Sequence, residues 1–371
     1  MKLSGIGIKI RRGALFLRGF QVQSLGGRYT AFAHSMEEES TRGIGAVIPS
    51  ERLISNLDYH REGQYLVIST DETIQLVDSL AGLEKKKIYC KSLGIGKAKF
   101  THHDASILVS SNNAARNNDV KYLSLHDNRY LKVFKGHGSD PIRSISISPI
   151  NDNFLTSTNR QVMLWSLSSP NSSPIATINL PNYFENVMVS YDGSGVVFGV
   201  MATDQRNRNH YLRLYNTAQY STGPFAEMAP SVTNLNSAIM KRMPGAPPGY
   251  VQKVVRSTWT DFQFSGEGEK ILVNTNSDAV FVIDGYNNTN ESLCIPRANS
   301  NGIKLSASFS TDANEILLGT EDNDISIYNS LRADLSQTLT GHVSPVGVIA
   351  CNPKYDVIAT ACVNCALWLP I

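Results

Sequence analysis

The stretch Lys121-Tyr-Leu-Ser-Leu-His-Asp-Asn-Arg-Tyr-Leu-Lys-Val-Phe-Lys-Gly-His137 decides how the rest of the chain is read. Two short apolar-rich runs, Tyr122 to Leu125 and Tyr130 to Phe134, flank His126-Asp127-Asn128. Alternating apolar positions on either side of an Asp-Asn turn describe a β-hairpin. Gly136-His137 closes the unit, and Arg143-Ser-Ile-Ser-Ile-Ser148 opens another strand of period two. One hairpin fixes no fold. A hairpin that recurs at constant spacing does.

Recurrence is what the chain shows. A strand end followed by a polar turn appears at Tyr59-His60-Arg61-Glu62-Gly63, Phe100-Thr101-His102-His103-Asp104, Ile147-Ser148-Pro149 and Ser190-Tyr191-Asp192-Gly193. It returns at Phe264-Ser265-Gly266, Phe309-Ser310-Thr311-Asp312 and Cys351-Asn352-Pro353. After each turn comes a near-continuous apolar run, such as Tyr65 to Thr70, Ile107 to Ser111, Phe154 to Thr158 or Ile271 to Thr275. Such runs suit strands buried on both faces between packed sheets. A third strand follows, and six of the units add a fourth. Seven copies at mostly about 41 to 47 residues match the period of WD repeats. The expected fold is therefore all-β, a seven-bladed WD-repeat β-propeller occupying residues 1–371 as a single domain.

Three details complete that expectation. The chain stops at Ile371 just after the third strand of the seventh unit, which leaves a sheet edge unpaired. The run Ala14-Leu-Phe-Leu-Arg-Gly-Phe-Gln-Val22 has no sheet of its own and is assigned as the strand that closes the ring. Residues 24–50, with Glu37-Glu38-Glu39, read as a polar loop insertion. Residues 220–250, with Met243-Pro-Gly-Ala-Pro-Pro-Gly249, read as a Pro-rich loop insertion between blades four and five.

Composition bounds the function. A net charge of +2 argues against whole-chain attraction to nucleic acid. The five cysteines are an odd number and unevenly spread, which favours a reducing compartment. No apolar run before the first unit is long enough for a signal-peptide core, and none spans a bilayer, so an intracellular, non-membrane protein is expected.

The motifs that carry chemistry elsewhere fall short. Cys362-Val-Asn-Cys365 is an isolated Cys-x-x-Cys between two strands, away from a helix start and without a second pair, so packing and turn roles are expected for it. His102-His103 lies in a turn, and adjacent side chains of extended backbone face opposite ways, so no shared metal is expected. Gly94-Ile-Gly96-Lys97 lacks the spacing of a phosphate loop, and Gly193-Ser194-Gly195 lacks that of a hydrolase elbow. Gly136-His137 and Gly341-His342 are read as structural, each His tying its turn to the strands. The reading is no enzyme, no catalytic residue, no metal and no cofactor.

Residues Tyr122 to Tyr130, Gly136-His137, Ser148-Pro149, Gly223-Pro-Phe-Ala226 and Ala359-Thr-Ala-Cys-Val-Asn-Cys-Ala-Leu-Trp-Leu-Pro370 resemble one particular WD-repeat family. That family is the propeller subunit shared by Set-domain histone H3 methyltransferase complexes (COMPASS) and by transcription-termination complexes built on protein phosphatase 1 and its nuclear targeting subunit. The resemblance implies a non-enzymatic adaptor in the nucleus. Its partners would be a phosphatase targeting subunit or a Set-domain protein, together with the phosphorylated tail of RNA polymerase II. It implies no sequence-specific nucleic acid and no membrane. The alternative is a substrate receptor of a ubiquitin ligase or another general WD-repeat adaptor, although no Trp-Asp pair occurs in the chain.

One face of such a propeller carries the loops joining second to third strands and those joining blades. On it the sequence places Arg116, Arg160, Arg206 and Arg208, with Lys97 in the loop entering blade two. These five are the candidate partner-binding residues, able to hold phosphate by charge-assisted hydrogen bonds. Asp71, Glu72, Glu321, Asp322 and Asp324 would make the opposite sector acidic.

Overall fold

The computed structural model describes residues 41–91, 94–112, 118–229, 232–247, 249–285 and 292–371. Among them, seven four-stranded antiparallel sheets follow one another along the chain, as expected. Six are built from consecutive strands, for example Asn56–Tyr59, Tyr65–Ser69, Thr73–Asp78 and Leu83–Tyr89 in blade one. The first strands of blades seven, one, two, three, four and five touch in succession, and that of blade six touches that of blade seven. First strands therefore form the inner ring, and fourth strands the rim.

The seventh sheet is the exception that closes the circle. Its strands Val348–Cys351, Ile358–Ala361 and Asn364–Pro370 receive their fourth from the other end of the described chain, Arg42–Pro49. The register runs antiparallel from Arg42 opposite Pro370 to Pro49 opposite Asn364, with a bulge between Ile44 and Ala46. This corrects the expected loop: residues 42–49 are a strand, and they hold the position assigned to residues 14–22. The segment 14–22 itself lies outside the described residues. Arg42 pins the strand by bridging Glu315 of blade six at 2.8 Å and Asp356 of blade seven at 3.4 Å.

There is no single core. Seven apolar clusters form, one at each interface between neighbouring blades. Strand alternation explains this division, because successive side chains point to opposite sheet faces. Leu66 and Ile68 face the cluster shared with blade seven, whereas Val67 between them faces the one shared with blade two. All three are fully buried, so the second strands need apolar residues at every position. Each such side chain contributes about 1.5–3 kcal/mol.

Polar latches join the blades where the inner strands do not pair. Asp58 Oδ2 accepts the Phe100 amide at 2.7 Å, Ser146 Oγ that of Tyr191 at 3.0 Å, and Gln263 Oε1 that of Phe309 at 3.1 Å. At the seam between blades seven and one, Asn352 Nδ2 donates to the Gly63 carbonyl at 2.6 Å. Gly63 has φ of 76°, and a Cβ there would stand 2.4 Å from Asn352 Oδ1, so only glycine fits.

The two Gly-His pairs do what their position implied. In blade three, Trp165 Nε1 donates to Thr156 Oγ1 at 2.8 Å, and His137 Nε2 lies 2.8 Å from the same oxygen. Blade seven repeats the set with Trp368, Thr360 and His342, both contacts at 2.7 Å. Indole can only donate, which leaves the threonine hydroxyl proton for the imidazole. His210 of blade four, buried like His137, stacks on Trp259 of blade five with centroids 4.6 Å apart.

The segment 220–250 is more ordered than a loop. It contains a short turn of helix at Tyr220–Thr222, the rim strand Ala226–Met228 and helix α1 at Val232–Arg242, and leads into helix α2 at Tyr250–Val255. Leu235, Ala238 and Ile239 bury one stripe of α1 in the cluster between blades four and five, and α1 packs on the rim strand Ser292–Pro296. Arg242 donates to the Ala333 carbonyl and to Asp334 Oδ1, the latter at 3.2 Å, so the insertion also reaches blade six. The Pro-Gly stretch between the helices drew the loop reading over the helical residues on either side.

Closure by residues 42–49 makes a mutational prediction. Ile48 is 4% exposed and Val47 54% exposed on the same strand. Ile48→Ala should cost about 2–5 kcal/mol, and Val47→Ala should stay within about 0.5 kcal/mol, both read by denaturant unfolding. Equal effects would mean that the strand does not close the ring.

Buried histidines set a pH dependence. Burial pulls His137 and His210 from 6.5 down to about 4. A histidine of the unfolded chain takes its proton near 6.5, so each neutral imidazole favours the fold fully above that pH and loses its contribution as pH falls to about 4. The contribution is on the order of 2–4 kcal/mol each. Relative to wild type, His137→Gln and His210→Gln should flatten the stability profile in that window. An unchanged slope would contradict the assignment.

Candidate partner-binding face

Local turn chemistry sets the arginines of the loop face. In blade three, Thr158 Oγ1 accepts the amides of Arg160 at 3.2 Å and Gln161 at 3.1 Å, a hydroxyl turn that directs Arg160 outward. Its guanidinium lies 3.5 Å from Asp140. In blade four, Asp204 Oδ1 accepts both the Arg206 amide at 2.8 Å and its Nε at 3.1 Å, and Oδ2 takes Nη2 at 2.9 Å. The guanidinium rests 3.4 Å above the Tyr183 ring. Arg206, the largest influence, holds the Asp204 carboxyl below its usual range. Arg208 has a left-handed φ of 61°, pairs with Glu185 and donates to Thr258 Oγ1 at 3.1 Å.

The expected residues are thus distributed as follows. Arg206 and Arg208 share one turn, and Arg160 occupies the equivalent turn of the preceding blade. Arg116 lies outside the described residues. Lys97 leads into the first strand of blade two, its carbonyl accepting the Ser110 amide at 2.9 Å. That places it at the mouth of the central channel, apart from the arginine turns. Burial first, then the nearby charges of Lys304 and Lys99, lower its pKa to about 8.

The sector expected to be acidic is countered by a cation only at its blade-one end. Arg52 reaches Asp71 at 2.7 Å and Glu72 at 3.2 Å. Glu321 accepts the Ser300 hydroxyl at 2.7 Å, the Ser300 and Asn301 amides, and Asn301 Nδ2 at 2.9 Å. Those bonds, the Ser300 hydroxyl foremost, hold its carboxyl down at about 2. Residue type and loop position were legible in the sequence. Asp204 stands two residues before Arg206, but Asp140 and Glu185, the partners of Arg160 and Arg208, come from other loops and were not.

The opposite face bears a cleft of about 320 Å³ lined by His60, Glu62, Gln64, Tyr65, His102, His103 and Asp104. His103 is exposed, in keeping with a solvated turn, but His102 is not free: its Nε2 lies 2.8 Å from the Ser148 carbonyl and ties blade two to blade three. Among the described residues, no three His, Cys, Asp or Glu side chains gather to hold a metal ion. Cys362 Sγ contacts His342 Nδ1 at 3.2 Å, inside the tryptophan-threonine-histidine set of blade seven. Cys365 is fully buried, and burial pushes its thiol far up. Both cysteines have packing roles in this geometry.

Comparison with known proteins agrees with the architecture. The family described as "WD domain, G-beta repeat" matches residues 128–166, which run from the opening hairpin into blade three. Along most of its length the chain is similar to "WD repeat-containing protein 82" of Drosophila melanogaster, 29% identical over 320 residues covering 85% of this chain and 90% of that protein. It is similarly related to "COMPASS component SWD2" of Saccharomyces cerevisiae, 28% identical over 326 residues covering 83% of this chain and 88% of that protein. "Set1 complex component swd2" of Schizosaccharomyces pombe matches at 29% over 245 residues, covering 66% of this chain and 59% of that protein. The chain is a WD40-repeat β-propeller, and the proteins named WD repeat-containing protein 82 and Swd2 are its homologues.

Proposed function

We propose that this chain is a non-catalytic adaptor subunit of a nuclear complex acting on chromatin or on transcription termination. The observation that carries this reading is the extent of the likeness to a protein named as a COMPASS component: it runs through 83% of the chain, well beyond any single repeat. Partners in the same reading are a Set-domain methyltransferase or a protein phosphatase 1 targeting subunit. Rigid blades with ordered, internally bonded loops suit recognition by preformed surfaces, where little ordering cost is left for binding.

Within this reading, the arginine turns of blades three and four are the docking points for the phosphorylated polymerase tail. Arg160, Arg206 and Arg208 supply the charge there, with Arg116 and Lys97 as the further members. Docking exchanges Asp204, Glu185 or Asp140 for phosphate, and the planar arginine fork suits that exchange because it meets both oxyanions bidentately.

Affinity purification of the tagged chain from nuclei tests the adaptor role. A Set-domain protein or a phosphatase catalytic subunit should co-purify at near-stoichiometric yield. Recovery of ubiquitin-ligase subunits in their place would overturn the assignment. Titration with a phosphorylated polymerase-tail peptide tests the docking points. Arg206→Glu/Arg208→Glu should weaken binding by roughly tenfold or more per lost contact, and unchanged affinity in the folded variant would remove these turns from the site.

A further inference from the structure

Arg206 and Arg208 stand on one turn of blade four, yet the carboxylates they meet differ in kind. Asp204 is fixed. Its side chain is 2% exposed, its Oδ1 accepts the Arg206 amide and Nε, and its Oδ2 accepts Nη2. Stripping Arg206 from it would leave a buried charge unpaired, which is costly. Glu185 is not held in this way. Its side chain is 25% exposed, and among the described residues it meets Arg208 Nη1 alone, through Oε1.

The backbone is bent to bring this second pair together. A bulge between Glu185 and Met188 interrupts the first strand of blade four, Phe184–Tyr191, and Asn186 beside it has φ of 52°. Arg208 itself holds a φ of 61°, a left-handed conformation that a long side chain rarely adopts. Strain of that kind gathers where a side chain must be aimed for a task. Both guanidiniums then lie against one short segment, Arg206 above the Tyr183 ring and Arg208 on Glu185. In each pair the arginine is the more exposed partner, so an incoming anion meets the cations first.

We infer that Glu185 is a built-in competitor of the ligand at Arg208, so that this turn accepts a phosphate monoester and rejects a carboxylate. The inference rests on the docking reading above and assigns its selectivity. A carboxylate arriving at Arg208 replaces one single negative charge by another, and nothing is gained. A phosphate monoester carries about −1.5 to −2 at pH 7 and three acceptor oxygens, so it can displace Glu185 with charge to spare for Arg206. Asp204 stays in place throughout and keeps Arg206 aimed.

The test is titration of the full chain with a phosphorylated polymerase-tail peptide and with the same peptide carrying Glu at each phosphorylated position. Wild type should bind the first and not the second. Glu185→Gln should bind the phosphopeptide about two- to fivefold more tightly, the size expected from losing one exposed ion pair, and should begin to bind the Glu peptide. Glu185→Ala, judged by the same outcomes, replaces it if it does not fold. Asp204→Asn changes the net charge equally but loosens Arg206, so it should tighten neither complex. In an Arg208→Gln background the effect of Glu185→Gln should vanish. If wild type binds the phosphopeptide, three results each overturn the inference and leave the docking reading standing: no tightening by Glu185→Gln, equal tightening by Asp204→Asn, or tightening that survives the loss of Arg208. Equal binding of both peptides by wild type does the same. No binding of the phosphopeptide by wild type or by the folded Glu185→Gln variant removes the docking reading, and the inference with it.

Discussion

The structure depends on one pairing, between a strand near the start of the described chain and the last strand of all. A propeller is a circle made from a line, and every blade but one finds its four strands in sequence. The last must borrow. Arg42–Pro49 fills that place against Asn364–Pro370, with Ile48 buried in the cluster between blades seven and one and Arg42 bridging to blades six and seven. Without it, the seventh sheet would present an open edge and an unfilled apolar face.

Closure matters because the apolar burial is divided among interfaces. Each blade has two faces and shares each with a neighbour, so no blade completes its own core. Opening the ring at one seam uncovers the two faces that met there. The side-chain-to-amide latches at Asp58, Ser146 and Gln263 align the inner strands while the apolar faces hold them together. The same rigidity presents the loop face as a fixed surface, on which Arg206 is held by Asp204 and Tyr183 and Arg208 by Glu185.

Much of this was legible in the sequence because repetition is local. The Ile271–Thr275 run and its six counterparts declare strands buried on both faces, and the turns at Gly63, Pro149 and Gly266 mark where each begins. The closing strand was harder, since Arg42-Gly-Ile-Gly-Ala-Val-Ile-Pro49 holds two glycines that weaken a strand reading, whereas Ala14 to Val22 offered stronger apolar alternation. Only pairing with residues more than 300 positions away reveals its role. Helix α1 was hidden by the Pro-Gly stretch beside it. At the site, residue types could be placed on a face and Asp204 lies two residues from Arg206, but the carboxylates that meet Arg160 and Arg208 belong to the tertiary fold.

Native-state hydrogen exchange tests the central claim most directly. Amides of Arg42–Pro49 that pair with Asn364–Pro370 should exchange only as slowly as those of the buried second strands, through global unfolding. Exchange of those amides orders of magnitude faster, with the strand Ile358–Ala361 still protected, would show that the ring holds without this strand and would contradict the account.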